Sequence, residues 1–69
     1  MRLSARNQIK GTIVDVRKGA TTSHVSVEIA AGQVVTASIT NEAVEDLGLK
    51  AGMTAVAVIK ASDVMIAAD

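Results

Sequence analysis

The chain has 69 residues, with seven Lys and Arg against seven Asp and Glu, one His, no Cys and no aromatic residue, although 49% of it is hydrophobic. This length allows a single domain over residues 1–69, and the absence of Cys excludes disulfides and thiolate metal sites. A net charge of zero, with no ring on which a base could stack, argues against nucleic acid as a partner.

Domains this small usually need a staple or a partner subunit to supplement their core. With one His and scattered acids a metal cluster is not expected, so association with further copies of the chain remains. The longest uninterrupted apolar run, Ala55 to Ile59, is too short to cross a bilayer. Met1-Arg2-Leu3-Ser4 lacks the apolar stretch of a signal peptide. The reading is a soluble, cytoplasmic protein with no membrane partner.

From Asn7 to Val16, β-branched residues predict a first strand, in which Gly11 marks a bend, a bulge or the close approach of another backbone. Arg17-Lys18-Gly19 makes a polar turn. Residues 20 to 31 then alternate, with Val25, Val27 and Ile29 on one face and His24, Ser26 and Glu28 on the other, which predicts a second strand with one wet face. Ala31-Gly32-Gln33 connects it to a third, antiparallel strand from Val34 to Ile39. At Thr40-Asn41 the period changes, because NEAVEDLGL places Val44 and Leu47 three apart with Glu42, Glu45 and Asp46 on the remaining face. A short helix follows, capped by Thr40 or Asn41 and stopped by Gly48. A fourth strand is predicted over MTAVAVIK, 53–60, and a fifth over VMIAA, 64–68.

The predicted fold is therefore all-β, a small five-stranded OB-like barrel with one short helix between strands 3 and 4. In the last two strands both faces are apolar: Met53, Ala55, Ala57 and Ile59 oppose Val56 and Val58, while Val64 and Ile66 oppose Met65 and Ala67. A barrel this small has one interior. The outer face is covered either by the helix or by another subunit, and the second reading predicts a homo-oligomer built from symmetric dimers.

Catalysis finds little support. His24 lies on a wet strand face, no Ser sits in a Gly-x-Ser-x-Gly turn, and Glu45-Asp46 diverge on the helix. The five glycines form no phosphate-binding motif. What remains are small donors at strand ends: Ser4-Ala5-Arg6-Asn7, Thr40, and Lys60-Ala61-Ser62. Hydroxyls, cations and unpaired N–H groups suit a small tetrahedral oxyanion, although the same residues are common in turns and caps.

SARNQIKG at 4–11 and VIKASDVMI at 58–66 closely resemble the two signature stretches of the molbindins, the small molybdate-binding Mop proteins. The resemblance continues through KG at 18–19, VSVEIAAG at 25–32, SIT at 38–40 and AVEDLGLKAG at 43–52. It implies a five-stranded OB-like barrel assembled as a homohexamer, a trimer of dimers, that binds molybdate or tungstate at subunit interfaces. It further implies that Ser4, Ala5, Arg6, Thr40, Lys60 and Ala61 supply most of one oxyanion site, with Ser62 nearby, and that Ala20 adds a backbone N–H from another subunit. At Ala20 and Ala61 only the backbone can contribute. The expected role is storage and homeostasis of intracellular oxyanion by a protein that is not an enzyme and needs no cofactor. The alternative is an OB-like interaction or nucleic-acid-binding module without oxyanion selectivity.

Overall fold

A computed structural model describes residues 2–69. The elements are β1 (Asn7–Lys18), β2 (Thr22–Ala30), β3 (Gln33–Thr40), α1 (Asn41–Leu47) and β4 (Thr54–Ile59), followed by a single 3-10 turn, Ala61–Asp63. All strand pairs are antiparallel and the sheet order is β3-β2-β1-β4.

β1 organises the sheet because it is long enough to serve two neighbours. Its first half, Asn7 to Thr12, pairs with β4, and its second half, Thr12 to Lys18, pairs with β2. The changeover requires a curl, and two features permit it. At Gly11 a Cβ would lie 2.5 Å from the Glu28 carbonyl oxygen, so the close approach of β2 admits no side chain there. At Val14 the register slips: Ile13 faces Val27 but Asp15 faces Ser26, which leaves Val14 as an extra, half-exposed bulge residue.

The curled sheet encloses Ile13, Val25, Val27 and Val44, with Ile39, Leu49 and Met53 packed against them. The alternation predicted for the second strand is present, with Val25, Val27 and Ile29 turned inward and His24 and Glu28 exposed. The helix begins where expected. Thr40 is its cap and Asn41 its first residue, and Gly48 ends it in the left-handed conformation at φ 63°. Val44 is buried, whereas Leu47 is 63% exposed. The apolar partner of Val44 at the core is Leu49, whose N–H returns to the Val44 carbonyl at 3.0 Å through the C-terminal cap.

The predicted fifth strand, 64–68, is not formed. Four strands make a half-barrel, and beyond the 3-10 turn the chain continues without pairing, Met65 and Ile66 being 90% and 88% exposed. Apolar alternation reports that an extended segment is to be buried, not which chain buries it. The consequence is an open interior. An apolar hollow of about 540 Å³ lies between β3 and β4, the two free edges, lined by residues that include Ala37, Ile39, Leu47 and Ala57. Nor does the helix cover the outer face of β4: it packs on β2 and β3, and Val56 and Val58 remain 40% and 45% exposed.

Candidate functional site

β1 and β4 bring together the two sequence segments that carry the motif. Their register ends with Asn7 opposite Ile59, where the Asn7 Nδ2 donates to the Ile59 carbonyl at 3.1 Å. Just beyond that last pair lie Ser4, Ala5 and Arg6 on the β1 side and Lys60, Ala61 and Ser62 on the β4 side, so the two segments meet at one end of the sheet. Lys60 leads into the 3-10 turn, in which the Asp63 N–H donates to the Lys60 carbonyl at 2.9 Å and the Val64 N–H to the Ala61 carbonyl at 3.3 Å. These bonds occupy carbonyls. The N–H groups of Ala61 and Ser62, at the start of the turn, have no acceptor within it.

The charges at this end are unmatched. Among the described residues the ion pairs are Arg17–Asp15 and Lys18–Glu45, and neither Arg6 nor Lys60 has a carboxylate within bonding reach. Two cations without carboxylate partners, with hydroxyls and backbone N–H groups in the same segments, are a donor set suited to a small anion.

Thr40 and Ala20 lie elsewhere, at the far end of β1. The Thr40 Oγ1 accepts the Ala43 N–H at 3.1 Å as the helix cap. A hydroxyl has one proton and two lone pairs, so the cap uses an acceptor and leaves the O–H free to donate outward. Ala20 is exposed in the turn between β1 and β2, which is closed by the Gly19 N–H donating to the Thr22 carbonyl at 2.7 Å. Thr22 pairs with Thr40 in the β2–β3 ladder, so the turn and the helix cap are neighbours.

The eight residues therefore form two groups and not one. Ser4, Ala5, Arg6, Lys60, Ala61 and Ser62 gather at one end of β1, and Ala20 and Thr40 at the other. β1 has 12 residues, which at about 3.3 Å each places its ends on the order of 30 Å apart even after the curl. The longest dimension of the molecule is 36 Å. Within one chain the two groups cannot touch the same small ion.

Sequence reasoning missed the residues that hold the second group. Asn41 sends its backbone N–H to the Thr21 carbonyl at 2.9 Å and its Nδ2 to the Gly19 and Ala20 carbonyls at 3.1 and 3.4 Å, and its Oδ1 accepts the Ser23 hydroxyl at 2.5 Å. Ser23 is fully buried. Its position carries a signal, because it stands in phase with Val25, Val27 and Ile29: a polar residue at a core-facing step requires a partner. His24, opposite Arg17 in the register, is exposed beside a shallow hollow of about 200 Å³ that Lys18, Gly19 and Thr22 also line. Among the described residues no group of three or more His, Asp or Glu could hold a metal ion, and no helix is long and apolar enough to cross a membrane.

A small half-barrel with a donor-rich end that carries two uncompensated cations has the character of a binding protein for a compact anion. Comparison with known proteins agrees in family. Residues 3–66 match the TOBE domain. Molybdenum-pterin-binding protein 3 of Clostridium pasteurianum is 53% identical over 68 residues, covering 99% of this chain and all of the relative. The structure superposes on MopII from Clostridium pasteurianum, in an apo form, with a TM-score of 0.89 at 48% identity, covering 97% of this chain and 100% of that one. It superposes equally well, at 0.89 and 46% identity, on the cytoplasmic molybdate-binding protein ModG with molybdate bound, covering 94% of this chain and 46% of ModG. The chain belongs to the TOBE domain family and, within it, to the molybdenum-pterin-binding Mop proteins, which are binding proteins and not enzymes. In ModG molybdate is a bound ligand, not a cofactor.

Proposed function

We propose that this chain binds molybdate, and tungstate with it, at interfaces between copies of itself, and that it stores and buffers the oxyanion in the cytoplasm as a homohexamer, a trimer of dimers. The observation that carries the reading is the divided donor set. Arg6 and Lys60 flank the last pair of β1 and β4 with no carboxylate partner, while Thr40 and Ala20 lie at the opposite end of β1. One copy's first group set against another copy's second group makes a complete cradle for a dianion: two cations, hydroxyls and backbone N–H groups already oriented by strand, turn and cap. Pre-orientation matters because a buried dianion loses its water shell and recovers it only from donors in place.

Self-association has independent support. The half-barrel has two free edges and an open apolar hollow, and the same chain carries an extended apolar tail, Val64 to Ile66, that its own sheet does not use. The tail of one copy laid along a free edge of another supplies the missing fifth strand, and Val56 and Val58 extend the apolar contact. The names of its relatives support molybdate as the ligand, and the description of ModG supports the cytoplasm. The zero net charge and the lack of aromatic residues speak against nucleic acid.

Native mass spectrometry of the ligand-stripped protein, titrated with molybdate and then with sulfate at equal concentration, tests the reading. A hexamer that takes up several molybdates and few sulfates is expected. An assembly that binds neither preferentially removes the oxyanion function, and a stable monomer removes the interfacial site.

A further inference from the structure

We propose that Ser23 and Asn41 are positioning residues that aim the N–H groups of Ala20 and Thr21 at the oxyanion and so set the donor spacing on which selectivity depends. The inference rests on the molybdate site proposed above and deepens it.

The geometry follows from peptide planarity. In a trans peptide the C=O of one residue and the N–H of the next point in opposite directions, and there is no cis bond among the described residues. Asn41 draws three consecutive carbonyls, those of Gly19, Ala20 and Thr21, toward the start of α1. The N–H groups of Ala20 and Thr21, on the far sides of the first two peptides, are thereby turned away from the helix. Among the described residues neither has a hydrogen-bond acceptor. Two successive donors thus face outward on a turn that Asn41 ties to the residue after Thr40, whose hydroxyl proton the helix cap leaves unused.

The clamp is itself held in one orientation. A carboxamide could flip end for end, but the Ser23 hydroxyl, fully buried on β2, donates to the Asn41 Oδ1 and so keeps Nδ2 toward the turn. The backbone N–H of Asn41 is one of the unsatisfied donors at a helix start, and Thr21 takes it. The Lys18–Glu45 ion pair also joins the turn to the helix, at 3.4 Å, but both side chains are more than half exposed and solvent weakens it. Orientation of the turn therefore depends on Asn41. Molybdate and sulfate share charge and shape and differ in bond length, so a site tells them apart by the spacing of fixed donors. A turn released from Asn41 still offers N–H groups, but not at one spacing.

The test uses the assembled full-length protein. Calorimetry gives molybdate and sulfate affinities for the native chain, Asn41→Ala and Ser23→Ala, and backbone NMR records which amides respond to saturating molybdate. In the native chain the Ala20 and Thr21 amides are expected to shift and gain exchange protection together with those of Arg6 and Ala61. Asn41→Ala should weaken molybdate binding at least tenfold and lower the molybdate-to-sulfate ratio by a similar factor, while the Arg6 and Ala61 amides still respond. Ser23→Ala should move both quantities in the same direction by less. An unchanged ratio in Asn41→Ala, whether affinity holds or falls equally for both anions, overturns the proposal. So do native Ala20 and Thr21 amides that ignore molybdate while Arg6 responds, a readout that stands even where a variant fails to assemble. A native protein with no preference for molybdate over sulfate instead refutes the functional reading on which the proposal rests.

Discussion

Thr40 caps α1 and, in the proposed site, also donates to the anion, and three substitutions pull the two roles apart. Its Oγ1 accepts the Ala43 N–H at 3.1 Å, and its proton is left for the anion. Thr40→Val removes both. Loss of an N-cap costs about 1 kcal/mol, within a range of roughly 0.5–2, and in a domain of this size each kcal/mol lowers the melting temperature by roughly 4–8 °C. A hydrogen bond to a charged group contributes about 1.5–3 kcal/mol, so the same substitution should weaken molybdate binding by roughly 10- to 150-fold. Thr40→Asp divides the effects: a carboxylate caps as well as a hydroxyl, so the melting temperature should stay within a few degrees of the native value. It has no proton to give, however, and sets a negative charge toward a dianion, so binding should fall further than in Thr40→Val. Thr40→Ser restores both cap and donor. Thermal melts of ligand-free protein followed by calorimetry with molybdate read the two effects separately. A stable Thr40→Asp protein that binds molybdate within threefold of the native chain refutes the donor role, and an unchanged melt in Thr40→Val refutes the cap.

Gly11→Ala places a Cβ 2.5 Å from the Glu28 carbonyl oxygen and 2.8 Å from the Val27 Cγ1; overpacking of about 1–3 kcal/mol, less roughly 0.4–1 for the stiffer unfolded chain, should lower the melting temperature by several degrees. A melt at or above the native value contradicts the close approach of β1 and β2. Lys60→Ala removes one of the two unmatched cations at this end of the sheet, so molybdate affinity should drop tenfold or more and become less salt-sensitive; unchanged affinity with intact assembly assigns the role of Lys60 to its backbone. Removal of residues 64–69, which no strand of the same chain pairs with, should dissociate the oligomer by light scattering while circular dichroism retains the strand signal. An intact oligomer after that deletion shows that the tail does not join copies.

Much of the fold was legible because each strand's burial is written at period two. Val25, Val27 and Ile29 against His24 and Glu28 determine β2, and the capping Thr40 with left-handed Gly48 bounds α1. Other features depend on partners distant in sequence. Gly11 announced an irregularity but not its kind: the structure separates a close approach at Gly11 from a bulge three residues later at Val14. Leu47 stood in phase with Val44, yet the turn after Gly48 brings Leu49 to the core in its place. The apolar pattern of 64–68 was real, but its burial requires something other than the chain's own sheet. Seven of the eight candidate site residues stood out as small donors at strand ends, and the resemblance joined them into one site and added Ala20. Their division between the two ends of β1 was not visible, because nothing in the sequence sets positions 20 and 60 at opposite ends of β1 until β4 has paired with its first half and β2 with its second.

A donor set of this composition bears on anions beyond sulfate. Arg6 and Lys60 carry only donors, backbone N–H groups likewise, and one lone pair of the Thr40 oxygen is already committed to Ala43. Molybdate and sulfate arrive near neutral pH without a proton and can accept from every side. Phosphate arrives with at least one O–H, which finds no carboxylate among the residues of the proposed cradle and only the spare lone pairs of hydroxyls whose protons are directed at the anion. A buried polar group left unsatisfied costs about 1–3 kcal/mol, so phosphate should bind roughly 5- to 150-fold more weakly than its charge and size alone would allow. Calorimetry with phosphate, sulfate and molybdate across pH 6.5 to 8 checks this, because deprotonation of phosphate over that interval should raise its affinity while sulfate stays level. Phosphate that binds as tightly as molybdate, or whose affinity ignores pH, shows that an acceptor lies within the cradle, and the hydroxyls of Ser4 and Ser62 are then where to look for it.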